Sequence, residues 1–506
     1  MGTGSTIAGS NFEHRGLSYW MERTLKELEK VCTLPDPDAV HDLRVALRRC
    51  RSVAAVMEEV DPDRSWREMR KLGRKLFGQL GELRDVQVLE DWTKRLGAES
   101  DPVRLQLLAI FEKQESELRE SAMRAAGKFD AKAWKKLESG LQRRARVVSP
   151  DGLAAQCLAL ERLEAAKELH ARALRAEKPR PWHELRIGVK RFRYTVESLL
   201  PEKYELWGDH LKRVQDLLGE VHDLDVLADA IVHAAAEESE ETRTCWAERI
   251  ASERHQRIET YRQLTLGKTS LWNEWRIGLP HGDTLEAAAL ARLRATARAL
   301  DANLRRTGQV SRLAMRLYDG LKRVEAAPVF AENSLRKVLR AAARLHGIGA
   351  GLDPDAPQKA ARDFLRDLPV PAGWSDGEWV LLINVVRYHR REQPDAQHKA
   401  FARLSEEEQQ AVCAMAGVLR LARALRKCGC ETPVGLRVEK SVDALIVRAP
   451  GLQESEEAAA RLAAGKYLLE RVLQRPLIVQ SATVRARVVE IPRNEEPPAS
   501  AAAASD

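Results

Sequence analysis

From Phe12 to about Trp275 apolar residues recur at three- and four-residue spacing through long stretches. That is the signature of amphipathic helices laid on a shared core. The pattern is interrupted at ProAspProAsp (35–38), AspProAsp (61–63), SerProAspGly (149–152) and ProArgPro (179–181), combinations that end helices and form turns. It stops near Ile277, where GlyLeuProHisGlyAsp (278–283) reads as a linker and Thr284 is placed to cap a new helix from Leu285. Helical periodicity then runs to about Arg426. After it, GLRVEKSVDALIVRA (435–449) and PLIVQSATVRARVVEI (476–491) are alternating and β-branched, with a helical stretch between them. The expected fold is therefore mainly α, closing with a small β element, and the tail 492–506 reads as disordered.

Composition adds bounds. A chain of 506 residues is too long for one ordinary core. Hydrophobic residues at 44%, charged residues at 31% and only 21 Pro suit helical domains with ample apolar material. No apolar run approaches the roughly 20 residues of a membrane helix, and the start lacks the basic-then-apolar order of a secretory signal, so the expected location is the cytoplasm, with no membrane partner. The 7 Cys include no CxxC pair, which argues against a zinc site or a disulfide framework. Net charge is +8, yet residues 1–280 hold 48 Lys+Arg against 47 Asp+Glu. Any polyanion site must then come from local concentration of charge on particular faces.

Such faces exist, and they are duplicated. HDLRVALRRCR begins at His41 and HELRIGVKRFR at His183. Each has His followed by basic residues at matching offsets: His41, Arg44, Arg48 and Arg51, then His183, Arg186, Lys190 and Arg193. On a helix these four positions fall within an arc of about 80°. Arg49 and Arg191, at the next matching offset, widen the stripe. A second pair of segments, RKLFGQLGELRDVQVL (74–89) and KRVQDLLGEVHDLDVL (212–227), repeats in the same order and opens on Arg74, Lys75 and on Lys212, Arg213. Duplication of a multi-helix unit accounts for both, with halves at about 11–148 and 152–278 in a pseudo-two-fold bundle. A stripe of cations repels itself and cannot be buried unpaired, so it must meet matching carboxylates or face a wet groove. The repeated helices offer only Asp42 and Glu184 beside the His. Glu82, Asp85, Glu220 and Asp223 in the second segments read as structural ties from helix to neighbouring Arg or His.

The paired His-x-x-Arg helices, each followed by a basic segment and a Leu-Gly-x-x-Arg/His-Asp motif, resemble the two halves of a CHAD domain, the conserved-histidine α-helical domain family. The resemblance spans roughly residues 11–280. It implies an all-helical, pseudo-symmetric pair of bundles whose basic residues line a groove or pore and bind inorganic polyphosphate. By position, the implied ligand-facing residues are the fourteen basic residues named above. Polyphosphate carries about one negative charge per unit, so a lining of Arg and Lys gains charge-assisted hydrogen bonds and counterion release. The stripes carry no aromatics for base stacking except Phe192 and Tyr194, which argues against nucleic acid.

Residues 284–491 resemble the helical HD-type domain at the C-terminus of exopolyphosphatase/guanosine pentaphosphate phosphatase proteins. The resemblance rests on SRLAMRLYDGL (311–321), LRAAARLHGIGAG (339–351), VVRYHRR (385–391), HKAFARLSEEE (398–408) and VLRLARALRK (418–427). An HD enzyme holds its metal with His, a His-Asp pair and a later Asp. Here His346 is followed by Gly347, while Arg306 and Arg423 stand where other ligands are expected. The expectation is no metal, no cofactor and no catalytic residue. By resemblance Arg387, His389, Arg390, Arg391, His398 and Lys399 become secondary polymer contacts, with homodimerisation, a polyphosphate kinase or phosphatase as partner, and polyphosphate granules as a location. Two other readings stand beside non-catalytic binding: a metal-dependent phosphohydrolase of polyphosphate or guanosine polyphosphate, and an RNA- or DNA-binding scaffold.

Overall fold

The structure is a computed structural model that describes residues 16–33, 37–176, 178–234, 239–390, 392–453 and 455–482. The expected domain start at 11, the strand residues 483–491, Arg391 and the tail 492–506 lie outside these. In chain order the first helices are α1 (Leu17–Thr33), α2 (Pro37–Met57), α3 (Arg64–Leu72), α4 (Arg74–Leu96), α5 (Pro102–Gly127) and α6 (Ala131–Ala145). Then come α7 (Leu153–Leu174), α8 (Pro179–Leu199), α9 (Pro201–Ala234), α10 (Glu240–Thr265) and α11 (Leu271–Ile277). After the 278–283 segment follow α12 (Asp283–Leu300), α13 (Leu304–Arg323), α14 (Asn333–Leu345), α15 (Gly349–Leu352), α16 (Pro357–Asp367) and α17 (Asp376–Arg387). The chain closes with α18 (Lys399–Ala402), α19 (Glu406–Lys427), β1 (Arg437–Lys440), β2 (Leu445–Pro450), α20 (Glu456–Leu473) and β3 (Leu477–Ala482).

Turn chemistry sets many of these boundaries. Asp63, Asp101 and Asp130 accept backbone N–H bonds at the starts of α3, α5 and α6, satisfying donors that a helix leaves open. Ser405 and Glu408 form a reciprocal capping box on α19. Pro179 and Pro181 fall in the first turn of α8, where a missing N–H costs nothing. Helix α12 begins at Asp283, so Thr284 lies inside it; its Oγ1 bonds the His281 backbone instead of capping from outside.

Two compact units result: residues up to Leu304 with Arg344–Arg387, and Arg305–Ala343 with the chain from Tyr388 onward. In the first, α1, α2, α3 with α4, α5 and α6 are matched in order by α7, α8, α9, α10 and α11. Like elements meet, α2 on α8 and α4 on α9, as a duplicated bundle requires. Its main core joins both halves, with Leu43, Leu47, Trp66 and Trp134 from one and Leu185, Val189, Phe192 and Trp275 from the other. Gly97 is needed at one close approach, since a Cβ there would lie 2.7 Å from the Trp246 ring. Helix α12 lies along α7, where the wholly buried Arg292 donates Nε to Glu161 at 3.0 Å. In the second unit the strands pair in the order β1-β2-β3, with β1 antiparallel and β3 parallel to β2, and α20 is the crossover.

Candidate functional site

The apolar sides of α2 and α8 dictate where their charges go. Leu43, Leu47 and Cys50 on α2, like Leu185, Val189 and Phe192 on α8, are fully buried. Their basic sides are thereby turned outward beside the α2–α8 contact. There Arg48 and Arg51 of α2, Lys190 and Arg191 of α8, Arg70 of α3 and Arg162 of α7 line a recess of ≈ 300 Å³. Phe77 and Tyr194 are its aromatic lining, and Ala55 stands among its smaller residues.

The six cations are not equally compensated. Arg70 pairs with Glu58 at 2.8 Å, and Arg162 with Glu59. Among the described residues no carboxylate pairs with Arg48, Arg51, Lys190 or Arg191. Arg51 gives its Nη1 hydrogen to the Arg70 carbonyl at 2.9 Å and lies over the Phe77 ring at 4.9 Å. Arg48 lies 5.6 Å and Lys190 6.0 Å from the centre of the Tyr194 ring, and the buried Nε of Arg48 has no acceptor. Burial first, then the Arg186, Arg48 and Arg44 charges, lowers the Lys190 pKa to about 8, with Asp85 opposing. Burial and the Arg70 and Arg74 charges likewise lower that of Arg51. A buried donor without acceptor and a lysine held below its usual pKa are what a bound anion would relieve.

On the opposite flank the protein supplies its own counter-ion. Arg49 pairs with Glu197 at 2.5 Å and lies 5.1 Å over the Trp20 ring. Arg193 approaches the same carboxylate at 3.9 Å and donates to the Tyr204 hydroxyl at 3.4 Å. Glu197 stands on α8 where the repeat puts Ala55 on α2, and Ala55 lines the open recess. Arg49 and Arg193 thus share a buried counter-ion, whereas their repeat equivalents Arg191 and Arg51 face the recess.

The other sequence candidates spread along the same elements. Arg44 and Arg186 act on Asp85 together with Lys190, so both stripes converge on this α4 carboxylate. Solvent reaches Asp85, yet the surrounding helices crowd it enough to raise its pKa despite those cations. Its repeat counterpart Asp223 is raised to about 6, by burial and then by Asp85 and Glu220, against Arg186. His183 Nδ1 lies 3.3 Å from His222 Nδ1, and burial with the Arg186 charge lowers His222 to about 4. His41 is exposed at the start of the α2 stripe, and Arg74, Lys75, Lys212 and Arg213 are exposed on α4 and α9. As a structural tie, Glu220 accepts from Arg257 Nε at 2.8 Å, whereas among the described residues Glu82 accepts only from Gln79 on its own helix. Arg70, Arg162 and Phe77 escaped the sequence reading because they lie outside the repeated stripes.

The C-terminal candidates do not form one exposed basic face. Arg387 and His389 are buried. His398 bonds the Tyr388 hydroxyl at 2.9 Å and Glu392 at 3.3 Å. Arg390 is half-buried and Lys399 exposed. Of the positions where the HD resemblance expects metal ligands, His346 is buried, and Arg306 and Arg423 bring positive charge, which does not fit a cation. Among the described residues no group of three or more His, Cys, Asp or Glu is placed to hold a metal ion.

This is a duplicated helical bundle with a cationic recess between its two repeated helices, joined to a second helical unit with a small sheet. Residues 19–232 match the CHAD domain family, and residues 291–445 match the Ppx/GppA phosphatase, domain III, family. The chain thus carries a CHAD domain ahead of a Ppx/GppA-type domain. A crystal structure of the CHAD domain from the plant Ricinus communis is similar at 22% identity, covering 52% of this chain and 88% of that one, with a TM-score of 0.35. No curated protein matches the chain. Among the described residues no helix is long and apolar enough to cross a membrane.

Proposed function

We propose that the chain binds inorganic polyphosphate, or a closely similar polyanion, without hydrolysing it, and that Arg48, Arg51, Lys190 and Arg191 make the central contacts. The two family matches favour a polyphosphate-related role. The observation that carries the reading is the recess itself: four cations that pair with no carboxylate among the described residues, one of them with a buried unbonded Nε. Binding would place acceptor oxygens against those donors, the condition under which charge-assisted bonds are strongest. Arg44 and Arg186 on α2 and α8, with Arg74, Lys75, Lys212 and Arg213 on α4 and α9, would extend the path. On this reading the protein brings polyphosphate granules or a polyphosphate-metabolising enzyme together with whatever its second unit serves.

Titration with long-chain polyphosphate at physiological salt tests the proposal. Combining Arg48→Glu with Lys190→Glu reverses two central charges and should weaken binding by about a hundredfold or more, with loss of two charge-assisted contacts. Binding as tight as that of the unaltered chain would remove the recess from consideration. Release of phosphate by the purified chain with Mg²⁺ or Mn²⁺ would overturn the non-catalytic part.

A further inference from the structure

Three cations surround one ring at the recess. Arg48 lies 5.6 Å, Lys190 6.0 Å and Arg193 5.9 Å from the centre of Tyr194, all within reach of the attraction between a cation and an aromatic face. Arg48 comes from α2 and the other two from α8, so the ring joins the two repeated helices through their charges.

Ordinary core packing does not account for this ring. Tyr194 is buried, yet the residues of α8 on either side that join the main apolar core are Phe192 and Val196. Tyr194 lines the recess instead. The duplication shows that the ring belongs to one half only: with His183 aligned on His41, Tyr194 falls on Ser52, whose hydroxyl donates to the Arg48 carbonyl at 2.8 Å. On the other flank the buried Glu197 holds Arg49, and Arg193 reaches both the carboxylate and the ring.

The two ways of holding a cation differ in consequence. A carboxylate neutralises its partner, and an incoming anion must compete with it. A ring attracts through its quadrupole and carries no net charge, so the cation keeps its full charge for a ligand. A side chain already restrained also has less rotamer freedom to lose on binding. Arg48 and Lys190 pair with no carboxylate among the described residues, and Lys190 feels the Arg48 charge. The ring offsets part of that repulsion.

We infer that Tyr194 is a positioning residue of the recess, whose ring holds Arg48 and Lys190 together and still charged where the ligand meets them. The inference rests on the polyphosphate-binding reading above, and its test separates the two.

Long-chain polyphosphate is titrated into the full chain at reduced salt, where weakened variants still bind measurably. Tyr194→Leu should weaken binding about tenfold, whereas Tyr194→Phe, which keeps the ring, should stay within about twofold of the unaltered chain. The slope of log affinity against log salt should be the same in all three, because no cation is removed. A tenfold loss in Tyr194→Phe would assign the role to the hydroxyl and overturn the inference. Because Leu also loosens packing, a double-mutant cycle decides: in the chain carrying Arg48→Gln and Lys190→Gln, adding Tyr194→Leu should change affinity by less than about twofold. A further tenfold loss there would mean that Tyr194 acts through the fold and not through these cations. If Arg48→Gln with Lys190→Gln weakens binding while Tyr194→Leu does not, the polyphosphate reading stands and the role of the ring falls. If the unaltered chain does not bind, both fall.

Discussion

Lys190 lines the first recess and Asp223 acts on Arg186, beside it on the proposed path, so both should make binding depend on pH, with signs that follow from their surroundings. Lys190 titrates at about 8 instead of 10.5, so between those values the unfolded chain holds more protons and stability rises with pH. Asp223 titrates at about 6 instead of 3.8, so across that window the folded chain holds more protons and stability falls as pH rises. A polyanion prefers the protonated form of both. Its affinity should therefore be greatest below about 6, drop as Asp223 ionises and drop again as Lys190 loses its proton above about 8. Affinity measured against pH at constant ionic strength checks this. Asp223→Asn should erase the acid step and Lys190→Arg the alkaline one; a flat profile in the unaltered chain would contradict the electrostatics.

At the scale of elements, the duplicated helices α2 and α8 are specialised by one pair of positions, Ala55 and Glu197. Ala55→Glu should put a carboxylate into the open recess, pair it with Arg51 or Arg191 and lower polyphosphate affinity with little change in stability. Glu197→Ala leaves Arg49 and Arg193 without their buried counter-ion and should cost about 3 kcal/mol, read by urea unfolding. Equal stability after Glu197→Ala would mean that the pair contributes nothing net. Much of this was legible in the sequence. Period and offsets gave the helices, the duplication and the stripes, because a helix keeps its residues in angular register. What periodicity cannot give is which flank of a stripe meets which neighbour. Arg49 and Arg51 lie two residues apart on one basic helix, yet one is paired with Glu197 and the other faces the recess. Aligning Ala55 with Glu197 was the available clue. Arg70 and Arg162 had none, since they reach the recess from α3 and α7.

For the whole molecule, the boundary drawn at the 278–283 segment is a boundary in sequence more than in packing. The first compact unit includes α12 and also recruits Arg344–Arg387. Leu285 and Ala372 pack against its main core, and Glu161 meets both Arg292 Nε and the Ala372 backbone. A fragment ending at residue 280 should therefore expose apolar surface of α7, bind a hydrophobic dye and melt below the first unit of the full chain. Identical melting would show that α12 and the later helices add nothing.

That interleaving bears on how the chain is made. A ribosome adding on the order of ten residues per second finishes α11 on the order of ten seconds before it reaches Arg387. Throughout that interval the N-terminal bundle has its recess helices but lacks its last packing layer, and during it the second unit begins at Arg305. Maturation of the N-terminal bundle thus waits on residues encoded inside the downstream region, so a frameshift or early stop there would impair the recess from a distance.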